Sequence, residues 1–368
     1  MITIILSELN PSMLTLEVVT AITEFETDVT IVMLGEITMH QEMAYAGLTR
    51  NLVKIKIGRR RKLLDLISAL FKLILQLRKS DTNSIYASGR TASLLGMSGG
   101  YLAFVPRRIF TRHHGSENHV FGNKRGILID RITNLLATRI VAVSNVCKEV
   151  LLHKDFVRPE KVIVIYNSFD YERFSSASRH FSSHEIRPSF LEHDALTIGV
   201  IGRGVPGKGI HVALLAFALF LKQYPNAKLR LIGHGNFYTA QNLKALESIP
   251  PTNLEIVLDS PDICLEYQRF DLFLHLPEFR DFESFGLVYL EAIAAGVPSI
   301  FTVSGILAEI SCPGFVQKVQ SGNIDETYRA MLDFSHNPPV SYELESKLVT
   351  SAFNMQNMRD MYVEIVSR

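Results

Sequence analysis

Short β-branched runs alternate with stretches of helical periodicity along the whole chain. In the first half, Ile2–Leu6, Val29–Met33, Leu52–Ile57, Ser84–Ala87, Ile109–Thr111, Ile140–Ser144 and Val162–Tyr166 read as strands. Arg60–Arg78, Lys124–Ala137 and Asn145–His153 read as helices between them. Such alternation predicts a parallel sheet with helices on both faces. The polar stretch Ser175–His184 has no periodicity and reads as a linker. The strand pattern then restarts with Leu196–Ile201, Lys228–Ile232, Leu254–Val257, Leu272–Leu276 and Ser299–Phe301. The expected architecture is α/β, with two Rossmann-like domains at 1–175 and 190–344 whose parallel sheets face a central cleft. A closing helix is expected at about 345–368.

Bulk properties narrow the function. The 368 residues suffice for two domains, and 47% hydrophobic against 20% charged residues supply a sizeable core. A net charge of +1 gives no global case for nucleic acid. Cys147, Cys264 and Cys312 are far apart and lack metal-site spacing, which fits a reducing, cytoplasmic setting. No apolar run reaches the ~20 residues that span a bilayer. Met1–Glu8 lacks a basic leader and reads as a first strand rather than a signal peptide.

The most informative segment runs from Glu278 to Pro298. Leu287–Ala295 is rich in Leu and Ala and is stopped by Gly296 and Pro298, so it predicts a helix. Ser284, Phe285 and Gly286 form the turn into it. Helical N–H groups there lack internal partners and attract phosphate. Glu283 lies on the turn and Glu291 inside the helix, where a carboxylate suits hydroxyls better than an anion. A diphosphate flanked by two carboxylates that bind hydroxyls describes a nucleotide-sugar site. The run Glu-Ser-Phe-Gly-Leu-x3-Glu-Ala-x-Ala-x-Gly-x-Pro resembles the E-x7-E element of retaining glycosyltransferases with the GT-B fold, specifically the large GT4 family.

Strand Thr197–Ile201 leads into Gly202-Arg203-Gly204-Val205-Pro206-Gly207-Lys208-Gly209. This contains G-x-G-x-x-G, but the second strand ends in Leu231-Ile232-Gly233-His234-Gly235, without the acid a dinucleotide fold needs. Gly202-x4-Gly207-Lys208 also approaches a P-loop, but Gly209 stands where Ser or Thr would hold magnesium. The resemblance offers a third reading, Gly-Arg-x4-Lys-Gly as the donor-phosphate element of GT4 enzymes. Arg203 and Lys208 would then neutralise charge on the leaving nucleoside diphosphate. His234 reads as a surface histidine. Val257–Leu265 falls where the family recognises the base, and Ser304 replaces the first glycine of its Gly-Gly-x-x-Glu-Ile turn.

In the first domain, Thr111-Arg112-His113-His114-Gly115 follows a strand, at the end where open α/β sheets bind ligands. The family often carries Thr-x-His or His-Gly here, with a histidine at the donor sugar. The first pattern selects His113, the second His114. A zinc site from His113, His114 and His119 is the alternative, but adjacent histidines rarely converge on one metal. Ser144 reads as a helix N-cap and Asn167 as a turn residue before the hinge.

The resemblance implies a retaining hexosyltransferase whose first domain, 1–175, binds the acceptor, whose second, 190–344, binds the nucleotide sugar, and whose closing helix at about 345–368 packs back onto the first domain. It would use a nucleotide-sugar donor, UDP rather than GDP, and a glycan or lipid-linked acceptor in surface polysaccharide or lipopolysaccharide synthesis. With no Asp-x-Asp motif, no metal or other cofactor is expected. Rival readings are a non-hydrolysing nucleotide-sugar epimerase, for which Glu8 and Glu117 are the only acids at hand, and a non-catalytic sugar-binding subunit. The basic cluster Lys54–Lys62 precedes the apolar helix up to Lys79. It points to peripheral contact of Lys54–Lys79 with the anionic inner face of the cytoplasmic membrane, against the plainer reading of a core helix with a solvated start.

Overall fold

The computed structural model describes residues 1–7, 12–58, 63–178, 196–258, 260–336 and 343–367. Among these residues it has two sheets, of seven and six strands, and every neighbouring pair is parallel. The sheets belong to two units, Met1–Ser168 with Met355–Arg368, and Phe169–Asn354.

The first unit runs β1 (Ile2–Leu6), α1 (Met13–Phe25), β2 (Val29–Leu34), α2 (Met39–Ala46), β3 (Asn51–Ile55), α3 (Leu63–Lys79) and β4 (Ser84–Ser88). It continues with α4 (Arg90–Leu102), β5 (Arg107–Arg112), α5 (Glu117–Val120), α6 (Lys124–Leu136), β6 (Arg139–Ala142), α7 (Asn145–Glu149) and β7 (Val162–Val164). The strand order is β3-β2-β1-β4-β5-β6-β7. β1 and β4 are buried throughout, as a sheet covered on both faces requires. Side-chain caps start the helices. Ser12 accepts from Thr15 N at 3.1 Å, and Thr38 with Gln41 forms a capping box. Ser144 caps α7 as expected, accepting from Cys147 N at 2.9 Å, and the helix then widens into a π-turn over Val150–Lys154. α4 lies close to the sheet because its inward positions are small. A Cβ on Gly100 would come 2.5 Å from Ile85, and one on Gly99 3.2 Å from Leu73 of α3. α3 and α6 pack on either side of it. The closing helix, Met355–Ser367, packs on α1, and its Tyr362 stacks edge-on against Tyr86 at 5.6 Å.

The second unit runs α8 (Tyr171–Ser178), β8 (Thr197–Ile201), α9 (Ile210–Phe220), β9 (Lys228–Ile232), α10 (Ala240–Leu246), β10 (Leu254–Val257) and α11 (Ile263–Gln268). It continues with β11 (Leu272–His275), α12 (Leu287–Ala294), β12 (Ser299–Phe301), β13 (Val316–Lys318), α13 (Ile324–His336) and α14 (Glu343–Thr350). Its strand order is β10-β9-β8-β11-β12-β13. Its core gathers Val200, Phe217, Leu231, Leu274, Ile300 and Met331 between the sheet and α9 and α13.

Three details differ from the expected pattern. Ser175–Ser178 close helix α8 instead of opening a linker, and 179–184 lie outside the described residues. The first unit ends at Ser168, and the closing segment is two helices, of which only Met355–Arg368 joins that unit. β13 was not anticipated, because an edge strand of sequence Val-Gln-Lys has no apolar run to announce it. In both sheets the order reverses beside the first strand, between β1 and β4 and between β8 and β11. Ligands of open α/β sheets bind outside such reversals.

Candidate active site

In the second unit, the turns after β8 and β11 meet at the reversal. Glu278 clamps the phosphate-type loop: its N–H donates to Gly207 O at 2.9 Å, and its Oε1 accepts from Gly207 N at 3.2 Å. Gly209 caps α9 with φ +68°, and a Cβ there would come 1.7 Å from Leu276 O. This explains why no magnesium-holding Ser or Thr stands at this position. Gly204 N donates to His234 O at 2.7 Å, fastening the loop to the turn after β9. Lys208 is nearly buried and forms a short ion pair with Glu283 Oε1. Arg203 is exposed.

Glu283 is also bound from below. Buried His275, the last residue of β11, lies 3.0 Å from Glu283 Oε1 through Nε2 and stacks edge-on against Tyr289 at 4.9 Å. Burial lowers the basicity of His275 more than Glu283 restores it, so the ring is neutral near pH 7 and donates Nε2–H. For Glu283, burial opposes ionisation, but the Lys208 charge and the His275 hydrogen bond hold the carboxyl well below the usual carboxylate range. The backbone of Glu283 is held too. Its N–H donates to Ser304 Oγ at 3.1 Å, and Ile306 N donates to Phe285 O at 2.7 Å. Gly305 sits between them at φ +52°, where a Cβ would meet Phe285 O at 2.4 Å.

Glu291 has a different environment. Its Oε2 accepts from the Tyr267 hydroxyl of α11 at 2.9 Å. Burial pushes its pKa up to about 7, which the Tyr267 hydrogen bond and the Arg173 charge only partly offset. The two glutamates are therefore not equally available carboxylates: one is held ionised against a lysine, the other is pushed toward its protonated form.

Gly202, Ser284 and Gly286 lie on the turns around this pair, Leu287 is the first residue of α12, and Gly286 caps that helix in the left-handed conformation at φ +83°. Phe285 offers only backbone, because its ring is buried edge-on against Phe353 at 5.5 Å. Sequence reasoning did not single out His275 or Tyr267, and it marked Ser304 only as a departure from a Gly-Gly turn, with no role. The signal for His275 was a lone imidazole in the apolar run Leu272–Leu276.

In the first unit the two adjacent histidines part company. His113 is exposed, with Nε2 3.4 Å from Ser88 Oγ at the end of β4. His114 turns inward to Asp130 at 3.1 Å, and burial lowers its pKa. Burial would raise the Asp130 pKa, but the His114 hydrogen bond and the Arg112 charge bring it down to about 2. Arg112 is buried between Asp130 (3.4 Å) and Asp155 (3.1 Å), and His119 binds Asp155 at 2.8 Å. His114 and His119 thus answer to different aspartates. Among the described residues no cluster of three His, Cys, Asp or Glu could hold a metal ion. A cavity lined by Gly89, Arg90, Ser93, Thr111, His113 and Asp130 opens beside them.

The acid–lysine pair and the glycine-capped helix α12 thus stand at a strand-order reversal of a parallel sheet. Two family profiles together span most of the chain, "Glycosyltransferase Family 4" over 13–173 and "Glycosyl transferases group 1" over 182–355. The chain belongs to the GT4 family of GT-B glycosyltransferases and is a glycosyltransferase. It is 24% identical over 311 residues to the capsular polysaccharide biosynthesis glycosyltransferase CapM of Staphylococcus aureus, covering 77% of this chain and 78% of that one. It is 24% identical over 324 residues to the UDP-Gal:alpha-D-GlcNAc-diphosphoundecaprenol alpha-1,3-galactosyltransferase of Escherichia coli, covering 82% and 80%. In fold it resembles Anabaena HepE, solved in complex with UDP and glucose, with a TM-score of 0.75, 17% identity and coverage of 100% and 99%.

Proposed function

We propose that this chain transfers a hexosyl unit, with retention of configuration, from a uridine diphosphate sugar to a glycan or lipid-linked acceptor in surface polysaccharide or lipopolysaccharide assembly. Peripheral attachment to the cytoplasmic face of the membrane through Lys54–Lys79 is part of this reading. The observation that carries it is the convergence of the Lys208–Glu283 pair and the N-terminus of α12 at the β8–β11 reversal. The UDP complex of HepE and the lipid-linked acceptor named for the E. coli relative support the choice of donor and acceptor.

In this reading the diphosphate lies against the first N–H groups of α12, where a partial positive charge favours anions. The Lys208–Glu283 pair is neutral as a unit, so Arg203 and the helix terminus carry most of the neutralisation of the leaving group. Lys208 supplies a donor held in place before the ligand arrives. Glu291 accepts from ribose or sugar hydroxyls, and His113, exposed after β5, is the histidine of the first unit assigned to substrate. Glu283, tied to a lysine and a histidine, is a poor nucleophile. That favours reaction on one face of the sugar, with the leaving phosphate helping to deprotonate the acceptor, over the paired-carboxylate route of retaining glycosidases.

Thermal-shift titration with UDP-sugars and GDP-sugars tests the reading, since a ligand that binds only the native state raises its melting temperature. A UDP-sugar should stabilise the wild type and lose that effect in Glu291→Ala. Stabilisation by GDP-sugars alone would move the donor assignment. No stabilisation by any nucleotide sugar, with no transfer, would sink the site.

A further inference from the structure

The outward faces of α3 and α6 are apolar where a water-facing helix of an α/β layer should be polar. On α3, Leu64, Ile67, Phe71 and Leu75 follow one another at helical spacing and all face solvent, with Leu64 78% and Phe71 62% exposed. The opposite side of the same helix, Ala69, Leu73 and Leu77, is buried, so α3 is apolar on both sides. On α6, Leu128, Ile132 and Leu135 repeat the pattern, with Leu135 75% exposed. Both helices flank the sunken α4 on one face of the sheet.

Two exposed phenylalanines accompany these stripes. Phe104 follows α4 at φ +62°, and Phe156 follows the π-turn at φ +57°. Both positions close a helical end in the left-handed conformation, where glycine is the ordinary choice and a bulky side chain is strained. They are 84% and 74% exposed. Phe104 lies next to α3, because Arg78 of α3 donates to Leu102 O at 3.0 Å. The Phe156 ring lies 5.6 Å from the guanidinium of Arg131 on α6.

The exposed charges on α3, α4 and α6 themselves have one sign. Lys72, Arg78 and Lys79 of α3, and Lys124, Arg125 and Arg131 of α6, are exposed. Neither α3, α4 nor α6 has an exposed carboxylate, since Asp65 is half-buried and Asp130 is buried in the ion pair with Arg112. Arg59, Arg60, Arg61 and Lys62, on which sequence reasoning placed the membrane patch, lie outside the described residues.

We infer that the α3–α4–α6 face of the first unit is a membrane-docking surface. It lies in the plane of an anionic leaflet, with the leucine and phenylalanine side chains in the acyl boundary and the cations at the headgroups. Apolar residues rimmed by cations and free of exposed acids match an anionic bilayer interface. A protein partner would require acids of its own in the same pattern. The inference deepens the lipid-linked acceptor reading and rests on it only for its purpose. It extends the attachment from Lys54–Lys79 to an inserted apolar surface that includes α4 and α6.

Flotation of the full chain with phosphatidylcholine vesicles, with and without phosphatidylglycerol, tests it in the absence of any substrate. The wild type should float with the anionic vesicles and remain in solution with the neutral ones. Phe71→Ser with Leu75→Ser, or Leu128→Ser with Leu135→Ser, should each lower the partition at least tenfold. All four sites are exposed, so melting temperatures should stay at the wild-type value. Lys124→Gln with Arg125→Gln should lower it as well and flatten its salt dependence. Both serine variants should keep full transfer to a water-soluble acceptor mimic, which separates loss of docking from failure of the assigned activity. A wild type that ignores anionic vesicles at low salt overturns the inference. So does serine substitution that leaves flotation unchanged, or a wild-type dimer in sedimentation that the serine variants abolish, which would make this face a contact between copies.

Discussion

Replacing Glu291 by glutamine should stabilise the protein, and only above acidic pH. The carboxyl has a pKa of about 7 in the fold against an ordinary 4.5, so the folded chain keeps a proton that the unfolded chain releases. Its contribution to stability therefore falls as pH rises from about 4.5 and levels off above about 7. At full strength the difference corresponds to about 3 kcal/mol. The side chain is partly exposed, and solvent screening reduces this to about 1–2 kcal/mol. Glutamine keeps an oxygen for the Tyr267 hydroxyl and removes the titration. Thermal melts at pH 5 and pH 8 read the effect: near equality at pH 5, and a gain of about 2–6 °C for Glu291→Gln at pH 8. The same variant should bind nucleotide sugar more weakly, because an amide accepts hydroxyl hydrogen bonds less strongly than a carboxylate. A gain independent of pH would refute the reasoning by showing that titration is not its cause, and no gain at pH 8 would refute it by placing the carboxyl in water.

The remaining predictions concern the same unit. Lys208→Ala should stay folded and lose transfer by roughly 10²–10³-fold, the scale of removing one positioned electrostatic donor; turnover near wild type in a folded variant would remove Lys208 from the site. Transfer should persist in EDTA, because Arg203 and the α12 terminus supply the positive charge; complete loss on chelation, restored by manganese or magnesium, would overturn that. Gly305→Ala should cost about 2–4 kcal/mol, since it adds a Cβ at a left-handed position against Phe285 O. A denaturation midpoint equal to wild type would show that the turn yields.

The alternation of strands and helices was legible because buried parallel strands are apolar on both faces and advertise themselves. Lys228–Ile232, Leu254–Val257 and Ser299–Phe301 form as the pattern requires. β13 was not legible, because an edge strand is specified by its neighbour and not by its own residues. The stop of the first unit at Ser168 was equally silent. Tyr171–Ser178 has a helical sequence, and packing on α11 and α12 assigns it to the second unit. At the site, the glycines and the Lys and Glu positions stand out in sequence because backbone geometry and charge restrict them locally. Ser304 could be seen only as a departure from a Gly-Gly turn. Its hydroxyl receives the Glu283 N–H and donates to Phe279 O at 2.9 Å, so the substitution adds a tether where glycine would leave backbone alone.

The two glutamates show where reading from sequence stops and why. Glu283 and Glu291 belong to one turn-helix element and are the same residue type, yet their proton affinities are pushed in opposite directions. The cause lies in other elements. Lys208 comes from the loop after β8 and His275 from β11, and together they keep Glu283 ionised despite burial. Tyr267 comes from α11 and offers Glu291 a single neutral hydrogen bond, too little to offset the loss of water. Two like carboxyls whose environments drive their pKa values apart can divide their tasks. In the proposed site Glu283 is a fixed charge that holds Lys208. Glu291 can accept a hydroxyl hydrogen bond as an anion or donate one as an acid near neutral pH. That division follows from which strand and helix each carboxyl faces, and a spacing motif carries no record of it.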